Sequence, residues 1–333
     1  MKKYLITGGL GFIGSAFIRR ILLNTDNLVL NLDKETYAAN LIHNDIFKDS
    51  QNYEFIKGDI CDEKLVSEIF NQYQPNFILN FAAESHVDNS INGPAEFINT
   101  NVMGTFNLLE CFRNYHADNP KKKALRFLHI STDEVYGSLG KDGLFSESSK
   151  YDPSSPYSAS KASSDHLINA WRRTYNLPLL ITNCSNNYGP YQNKEKLIPQ
   201  TILNAINNLE IPIYGDGSQI RDWLHVDDHT KALEIVLKKA KIGSTYNIGS
   251  NNEQKNLTVV KMICSILDEL TPSEHGSYER LITFVKDRPG HDTRYAIDAS
   301  KIKNDLNWEA NIDFENGLKE TVNWYLEEYH KGE

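Results

Sequence analysis

Short apolar runs alternate with longer amphipathic stretches through the first half of the chain. The runs 2–7, 28–32, 53–57, 77–81, 125–131 and 179–183 have strand length and are apolar enough to be buried on both faces. Stretches of helical period predict helices to about Leu23, over 63–73, over roughly 95–115 and from 157 to about 175. Strands alternating with helices predict the α/β class and a Rossmann-type doubly wound parallel sheet. From about residue 186 the rhythm loosens. The expected division is a dinucleotide-binding domain over 1–185, carrying the reactive residues, and a smaller C-terminal α/β substrate lobe over 186–333. Some of the later chain is expected to return to the first domain.

The first strand runs into Thr7-Gly8-Gly9-Leu10-Gly11-Phe12-Ile13-Gly14, a GxxGxxG pattern between strand and helix. Gly8 permits a tight turn, Gly11 lets a pyrophosphate approach the backbone, and Gly14 lets helix and strand pack closely. Phe12 and Ile13 open the helix, whose N-terminus faces the phosphates. Asp33 ends the second strand, about 20 residues beyond the glycines, where a carboxylate accepts from the adenosine ribose hydroxyls. That acid favours NAD over NADP, and the neighbouring Lys34 softens the preference. Asp59, with Ile60 beside it, is placed to meet the adenine amino group. Ala82 and Ala83 are small enough for backbone to lie against a dinucleotide, with Asn101 on the next helix counted in the same set. Glu84, Ser85 and His86 are expected to face the space beyond the nicotinamide.

The fifth strand ends in Ser131-Thr132-Asp133-Glu134-Val135-Tyr136-Gly137. Ligands of open α/β sheets bind beyond the carboxyl ends of the strands. A hydroxyl and two adjacent carboxyls there suit chemistry in which protons move in two directions. A plain polar turn is the competing reading. Tyr157 and Lys161 stand at i and i+4 on one helix face, and a cation beside a phenol lowers its pKa from about 10. Tyr157 is therefore expected to act as a base near neutral pH.

The whole chain narrows the partners. Its 333 residues carry a formal net charge of −9, which disfavours a nucleic-acid partner but leaves room for a small anionic ligand. Lys196, Arg221 and Arg288 are candidates to converge on a second pyrophosphate, each also readable as an ordinary surface charge. The four cysteines are widely spaced and form no CxxC, as expected of reduced thiols in a cytoplasmic protein. No leader peptide is expected, because Met1 leads directly into a strand, and no apolar run approaches the roughly 20 residues of a membrane span. His225 and His229 have metal-ligand spacing without a third ligand, so no metal is expected.

Tyr157-xxx-Lys161 together with the N-terminal GxxGxxG resembles the extended short-chain dehydrogenase/reductase family over essentially the whole chain. The segments 82–88, 131–137, 183–190, 196–199, 212–217, 221–223 and 288–292 resemble the branch of that family that dehydrates dTDP-glucose. The resemblance implies a homodimer that uses NAD in an internal redox cycle: C4 oxidation, loss of water across C5 and C6, and reduction at C6. It implies that Thr132 and Tyr157 hold the 4-hydroxyl, Glu134 takes the C5 proton, and Asp133 protonates the departing 6-hydroxyl. It further implies that Lys196, Leu197, Arg221, Asn256 and Arg288 hold the nucleotide diphosphate. Pro212 and Tyr214 fall in the same set, and Ser85, His86, Asn186 and His291 lie close to sugar or phosphate. Asn89 stands where that branch carries arginine, Glu35 and Ala39 vary its second-strand pattern, and His225 replaces a common tyrosine. Related enzymes remain open readings: a UDP- or CDP-glucose 4,6-dehydratase, a 4-epimerase or a decarboxylase. A non-catalytic NAD-binding sensor is the remote one. An epimerase needs Tyr157 and Lys161 but no acid/base pair for losing water, so Asp133 and Glu134 argue for dehydration.

Overall fold

The computed structural model describes residues 1–23, 26–120, 122 and 124–332. In chain order the strands are β1 (Lys2–Thr7), β2 (Asn27–Asp33), β3 (Tyr53–Lys57), β4 (Phe77–Asn80), β5 (Arg126–Thr132) and β6 (Leu179–Cys184). They continue as β7 (Asn186–Tyr188), β8 (Ile211–Tyr214), β9 (Ile220–His225), β10 (Thr245–Ile248), β11 (Glu253–Lys255) and β12 (Ile282–Val285). Seven of these form one sheet in the order β10-β6-β5-β4-β1-β2-β3. Every pairing in it is parallel.

The sequence explains why this sheet is buried on both faces. Tyr4 and Ile6 point into one core with Phe17, Leu128, Leu233 and Val236, while Leu5 points into the other with Leu30, Leu108, Phe112 and Phe127. That is the two-residue alternation of a strand covered by helices on either side. Each fully buried leucine or isoleucine contributes roughly 1.5–3 kcal/mol. A third core, built on Ile198, Ile202, Val259, Ile263 and Leu318, holds the smaller lobe together. A three-stranded sheet, β11-β9-β7, and the β12-β8 pair belong to that lobe.

Strand order reverses between β1 and β4, so a crevice opens beyond their carboxyl ends. The glycine turn leaves β1 there, Ala82 and Ala83 leave β4, and Thr132 ends β5. Thr7 on β1 is registered with Asn80 on β4, and its hydroxyl donates to Asn80 Oδ1 at 2.7 Å. This buried contact pins the two strand ends that frame the crevice.

One expectation about elements changes. The stretch over 95–115 is not one helix. It consists of a short helix Pro94–Phe97, a π-helical turn Ile98–Gly104 and the α-helix Thr105–Asp118. A Cβ on Gly104 would lie 2.5 Å from Ile60 Cδ1, so glycine here permits close packing. His225 and His229, whose spacing is that of metal ligands, each bond within the chain. His225 Nδ1 accepts from Asp227 N–H at 3.2 Å and caps the helix Val226–Lys239, and the His229 ring bonds Asn187 Oδ1 at 2.8 Å. Among the described residues no helix is long and apolar enough to cross a membrane. All four cysteines are free thiols.

Candidate active site

Two chambers meet beyond the strand ends. The first is lined by Gly8, Gly11, Phe12, Ile13, Gly14, Asp33, Lys34, Asp59, Ile60, Ala82, Ala83, Thr132, Asp133, Tyr157 and Lys161. The second is lined by His86, Leu197, Pro212, Tyr214, Arg221, Asn256, Arg288 and His291. Ser85, Glu134, Asn186 and Lys196 line both.

The glycine turn shows why its residue types matter. Gly8 adopts φ +72°, and a Cβ on it would sit 2.5 Å from Ala82 N. A Cβ on Gly14 would sit 2.4 Å from Gly8 O, so the helix start can close on the turn only without a side chain. A Cβ on Gly11 would meet only Gly8 O, at 3.3 Å, and otherwise project into the chamber. The helix Phe12–Leu22 has no side-chain cap, which leaves its first N–H groups for an anion. Asp33 is buried, with Oδ2 accepting from Leu10 N–H at 2.9 Å and Oδ1 from Glu35 N–H at 2.8 Å. Burial raises its pKa, and these two backbone donors oppose that rise. Lys34 pairs with Asp59 at 2.9 Å. Thr100 Oγ1 and Ser185 Oγ line the same chamber, buried and without a partner among the described residues. A close-approach glycine cradle, an uncapped helix start and a carboxylate beyond the second strand fit a dinucleotide.

At the chamber floor, β5 ends in a single 3-10 turn, Asp133–Tyr136. Glu134 N–H donates to Thr132 Oγ1 at 3.3 Å, and Thr132 Oγ1 lies 3.4 Å from Asp133 Oδ1. Asp133 is 1% exposed, and its Oδ2 has no partner among the described residues. Burial, reinforced by Glu134 and Asp222, raises its carboxyl well above the ordinary range. Burial also raises Glu134, but Arg288, Arg221 and Lys196 pull it back. Two adjacent carboxyls thus stand in environments that separate their protonation.

Tyr157 and Lys161 both reach the chamber from the helix Pro156–Tyr175. Ser155 and Ser158 form a capping box at its start and Pro156 opens it, so the first turn that carries Tyr157 is rigid. The expected lowering of the phenol does not hold. Burial, then Glu134 and Cys184, push Tyr157 well above its ordinary value. Lys161 Nζ donates to Ile130 O at 2.8 Å, and burial lowers its own pKa to about 8. The ammonium is aimed at a strand carbonyl beneath the chamber, so spacing on the helix alone does not activate the phenol.

The second chamber gathers the cations expected from remote parts of the chain. Lys196 Nζ donates to Ser85 O at 3.2 Å. Arg221 donates to Asp292 O at 2.9 Å and stacks 4.2 Å over Tyr295. Arg288 lies 3.5 Å from Asp88, which also accepts from Tyr214 OH at 3.2 Å. His86 Nδ1 accepts from Asn89 N–H at 3.3 Å and caps the helix Val87–Asn92, and the His291 ring bonds Asp287 at 2.6 Å.

One expected cofactor residue is placed elsewhere. Asn101 does not line either chamber. Its Oδ1 accepts from Glu84 N–H at 2.9 Å, and its Nδ2 donates to Glu84 O at 3.0 Å and Ser160 Oγ at 2.8 Å. It clamps the loop that carries Ser85, because the widened π turn directs its side chain under that loop. Residues given no site role in the sequence reading include Thr36, Ala38, Gln192 and Asn193 in the first chamber and Gln200 in the second, while Asp88 and Trp223, there only as members of the segments 82–88 and 221–223, also line the second. Asn193 donates to Ala38 O at 3.0 Å, so two irregular segments 155 positions apart close one wall. No local periodicity marks such a pair.

A doubly wound sheet with this glycine cradle and an acid/base floor defines a dinucleotide-binding α/β protein. The family described as GDP-mannose 4,6 dehydratase matches residues 5–321, and the chain belongs to it. A dTDP-glucose 4,6-dehydratase of Neisseria meningitidis is 56% identical, covering 98% of this chain and 94% of its own. The crystal structure of a dTDP-glucose 4,6-dehydratase from Bacillus anthracis in complex with NAD is 43% identical. It superposes with a TM-score of 0.88 over 99% of this chain and 98% of its own. A UDP-glucose 4-epimerase from Thermotoga maritima, solved with UDP-glucose, reaches a TM-score of 0.86 at 26% identity, over 98% of this chain and 99% of its own. The fold is therefore common to dehydratase and epimerase, and the site must separate them.

Proposed function

We propose that this chain is an NAD-dependent dTDP-glucose 4,6-dehydratase, forming dTDP-4-keto-6-deoxyglucose and water. The observation that carries the reading is the Asp133–Glu134 pair. One carboxyl is buried and held neutral, the other faces three cations, and both line the chamber shared with Tyr157. NAD, held by Gly8, Gly11, Phe12, Ile13, Gly14, Asp33 and Asp59, supplies the hydride acceptor and donor. Thr132 and Tyr157 hold the hexose 4-hydroxyl, and for Tyr157 to take its proton the raised phenol must be brought down by positive charge, which Lys161 below it and the nicotinamide ring of bound NAD would supply. With C4 a ketone, the C5 proton is acidic and the Glu134 carboxylate removes it. Asp133 gives its proton to the leaving 6-hydroxyl, and Glu134 returns a proton to C5. Lys196, Arg221 and Arg288 hold the diphosphate, arginine offering two-pronged contact.

The division of labour follows: residues 1–185 hold NAD and the reacting groups, and residues 186–333 mainly hold the nucleotide sugar. A homodimer is part of the proposal. Ile98, Met103 and Phe106 are exposed apolar side chains on the π turn and the helix after it, with Tyr175 exposed at the end of the neighbouring helix. Such a patch suits a two-fold helix-to-helix contact. Four free thiols support a reducing, cytoplasmic setting.

Incubation with dTDP-glucose and no added NAD tests the function, with UDP-glucose and CDP-glucose run in parallel. The expected product is a 4-keto-6-deoxy sugar that absorbs in alkali, with no net NADH. Steady release of NADH, or formation of dTDP-galactose alone, overturns the reading, and faster turnover of another nucleotide sugar reassigns the substrate.

A further inference from the structure

Beneath Tyr157 and Lys161 lie His129, Ser131 and Asp165, a buried polar cluster to which the proposed mechanism gives no role. Tyr157, Lys161 and Asp165 stand at i, i+4 and i+8 on one helix and form one stripe. That stripe packs on β5, whose His129 and Ser131 share a face two residues apart. His129 and Asp165 are 1% and 0% exposed. Asp165 Oδ2 accepts from Ser131 Oγ at 2.9 Å, Tyr151 OH at 2.9 Å and Asn183 Nδ2 at 3.3 Å. Its Oδ1 lies 3.5 Å from His129 Nε2, and Lys161 Nζ lies 3.5 Å from that same nitrogen.

The hydrogen bonds decide the histidine tautomer. Asn80 Oδ1 already accepts from Thr7, so its Nδ2 faces His129 Nδ1, at 3.2 Å, as a donor. Nδ1 then accepts, and the ring proton sits on Nε2, which lies 3.5 Å from both Asp165 Oδ1 and Lys161 Nζ, while Asp165 Oδ1 has no hydrogen-bond partner among the described residues. His129 therefore cannot accept a proton from Lys161. Burial and Lys161 hold its pKa well below the ordinary value, so it stays neutral. The groups facing Lys161 are His129 from β5, Cys184 from β6, and Tyr157 and Asp165 from its own helix. Among them Asp165 supplies the counter-charge.

We propose that Asp165 is a positioning residue for the reaction: its unpartnered carboxylate oxygen, across the His129 ring from Lys161, keeps Lys161 protonated and its ammonium fixed on the Ile130 carbonyl below Tyr157. A buried ammonium without a nearby carboxylate loses its proton readily. Lys161 stands at about 8, lowered by burial and held up by Asp165. Asp165 stands at about 6, raised by burial and held down by Lys161 and its three donors. Between these two values both groups are charged. Above the upper one Lys161 loses its proton, and below the lower one Asp165 gains one.

The inference about turnover rests on the dehydratase reading, and its test is built to separate the two. NMR spectra of the purified holoenzyme, with lysine side chains isotopically labelled, report the protonation of Lys161, assigned by its loss in Lys161→Arg. Replacing Asp165 by asparagine keeps an acceptor for Ser131 and Tyr151 but removes the charge. Asp165→Asn is expected to move the Lys161 titration down by about one pH unit or more. The alkaline limb of kcat with dTDP-glucose should move with it, KM changing little. A Lys161 titration unmoved in a folded Asp165→Asn protein overturns the proposal. So does an equal loss of activity at every pH. Should Asp165→Asn not fold, the wild-type titration decides, because protonation of Asp165 must appear as a second inflection of the Lys161 signal near 6. Its absence overturns the proposal. If wild-type protein leaves dTDP-glucose unchanged, the functional reading fails, while the titration still judges the pair.

Discussion

Asp133 and Glu134 are adjacent in sequence, yet their carboxyls face opposite electrostatic surroundings. Asp133 lies buried, Glu134 and Asp222 raise its carboxyl further, and Arg221 opposes them. Glu134 faces Arg288, Arg221 and Lys196 across the junction of the two chambers. A 3-10 turn produces this split, because successive side chains leave it in different directions.

Glu134→Gln removes the base without changing shape. C5–hydrogen exchange with solvent should fall by about 10²–10⁴-fold, the usual contribution of a positioned base. Bound NAD should remain. Mass spectrometry of product formed in deuterated water reads the exchange, and exchange at the native rate would remove Glu134 from the role.

Asp133→Asn has two expected effects of opposite sign. Elimination should slow by about 10²–10⁴-fold while C4 oxidation persists, so enzyme-bound NADH accumulates on mixing with substrate. Stability should rise at neutral pH. The folded pKa of Asp133 lies above its unfolded value, so its contribution is full below the unfolded value of about 4 and is lost progressively as pH rises from there to the folded value. The variant escapes that loss, and its Tm should exceed that of the wild type at neutral pH but not at acid pH. Thermal melts across pH check this.

Gly14→Ala places a Cβ 2.4 Å from Gly8 O, which is backbone and cannot step aside cheaply. The expected cost is about 1–3 kcal/mol in stability, together with loss of retained NAD. Chemical denaturation and the cofactor content of the purified protein measure the two effects.

The exposed apolar side chains of the helical face predict the assembly. Phe106→Glu combined with Met103→Glu should roughly halve the mass seen by light scattering, since a buried, unpaired carboxylate is not tolerated at such a contact. An unchanged mass places the subunit contact elsewhere.

Much of this was legible in the chain because the signals are local. The glycine turn, the strand before it and the helix after it lie within one short stretch, and the buried strands stand out as apolar runs. The carboxyls at the end of β5 could be placed because a parallel sheet aligns its strand ends. What stayed hidden depends on the third dimension. Tyr157 and Lys161 are neighbours on a helix, but the carbonyl of Ile130 decides where the ammonium points. Asn101 reads as a polar residue near a cofactor, and only the widened turn shows it bonding Glu84. Asn193 joins the wall through a contact with Ala38 that no spacing rule anticipates.

The return of β10 to the large sheet limits how this protein can be divided. β10 pairs with β6 through Thr245–Ile181 to Ile248–Cys184, and the helix Val226–Lys239 covers the core that holds Tyr4 and Ile6. A fragment ending near residue 185 would therefore carry an unpaired β6 and an uncovered apolar face, the conditions for aggregation. The two lobes are not interchangeable cassettes. A chimera that exchanges the nucleotide-sugar lobe must leave both 226–248 and 299–310 with the cofactor half, because Ala299, Ile302 and Trp308 pack into the same core.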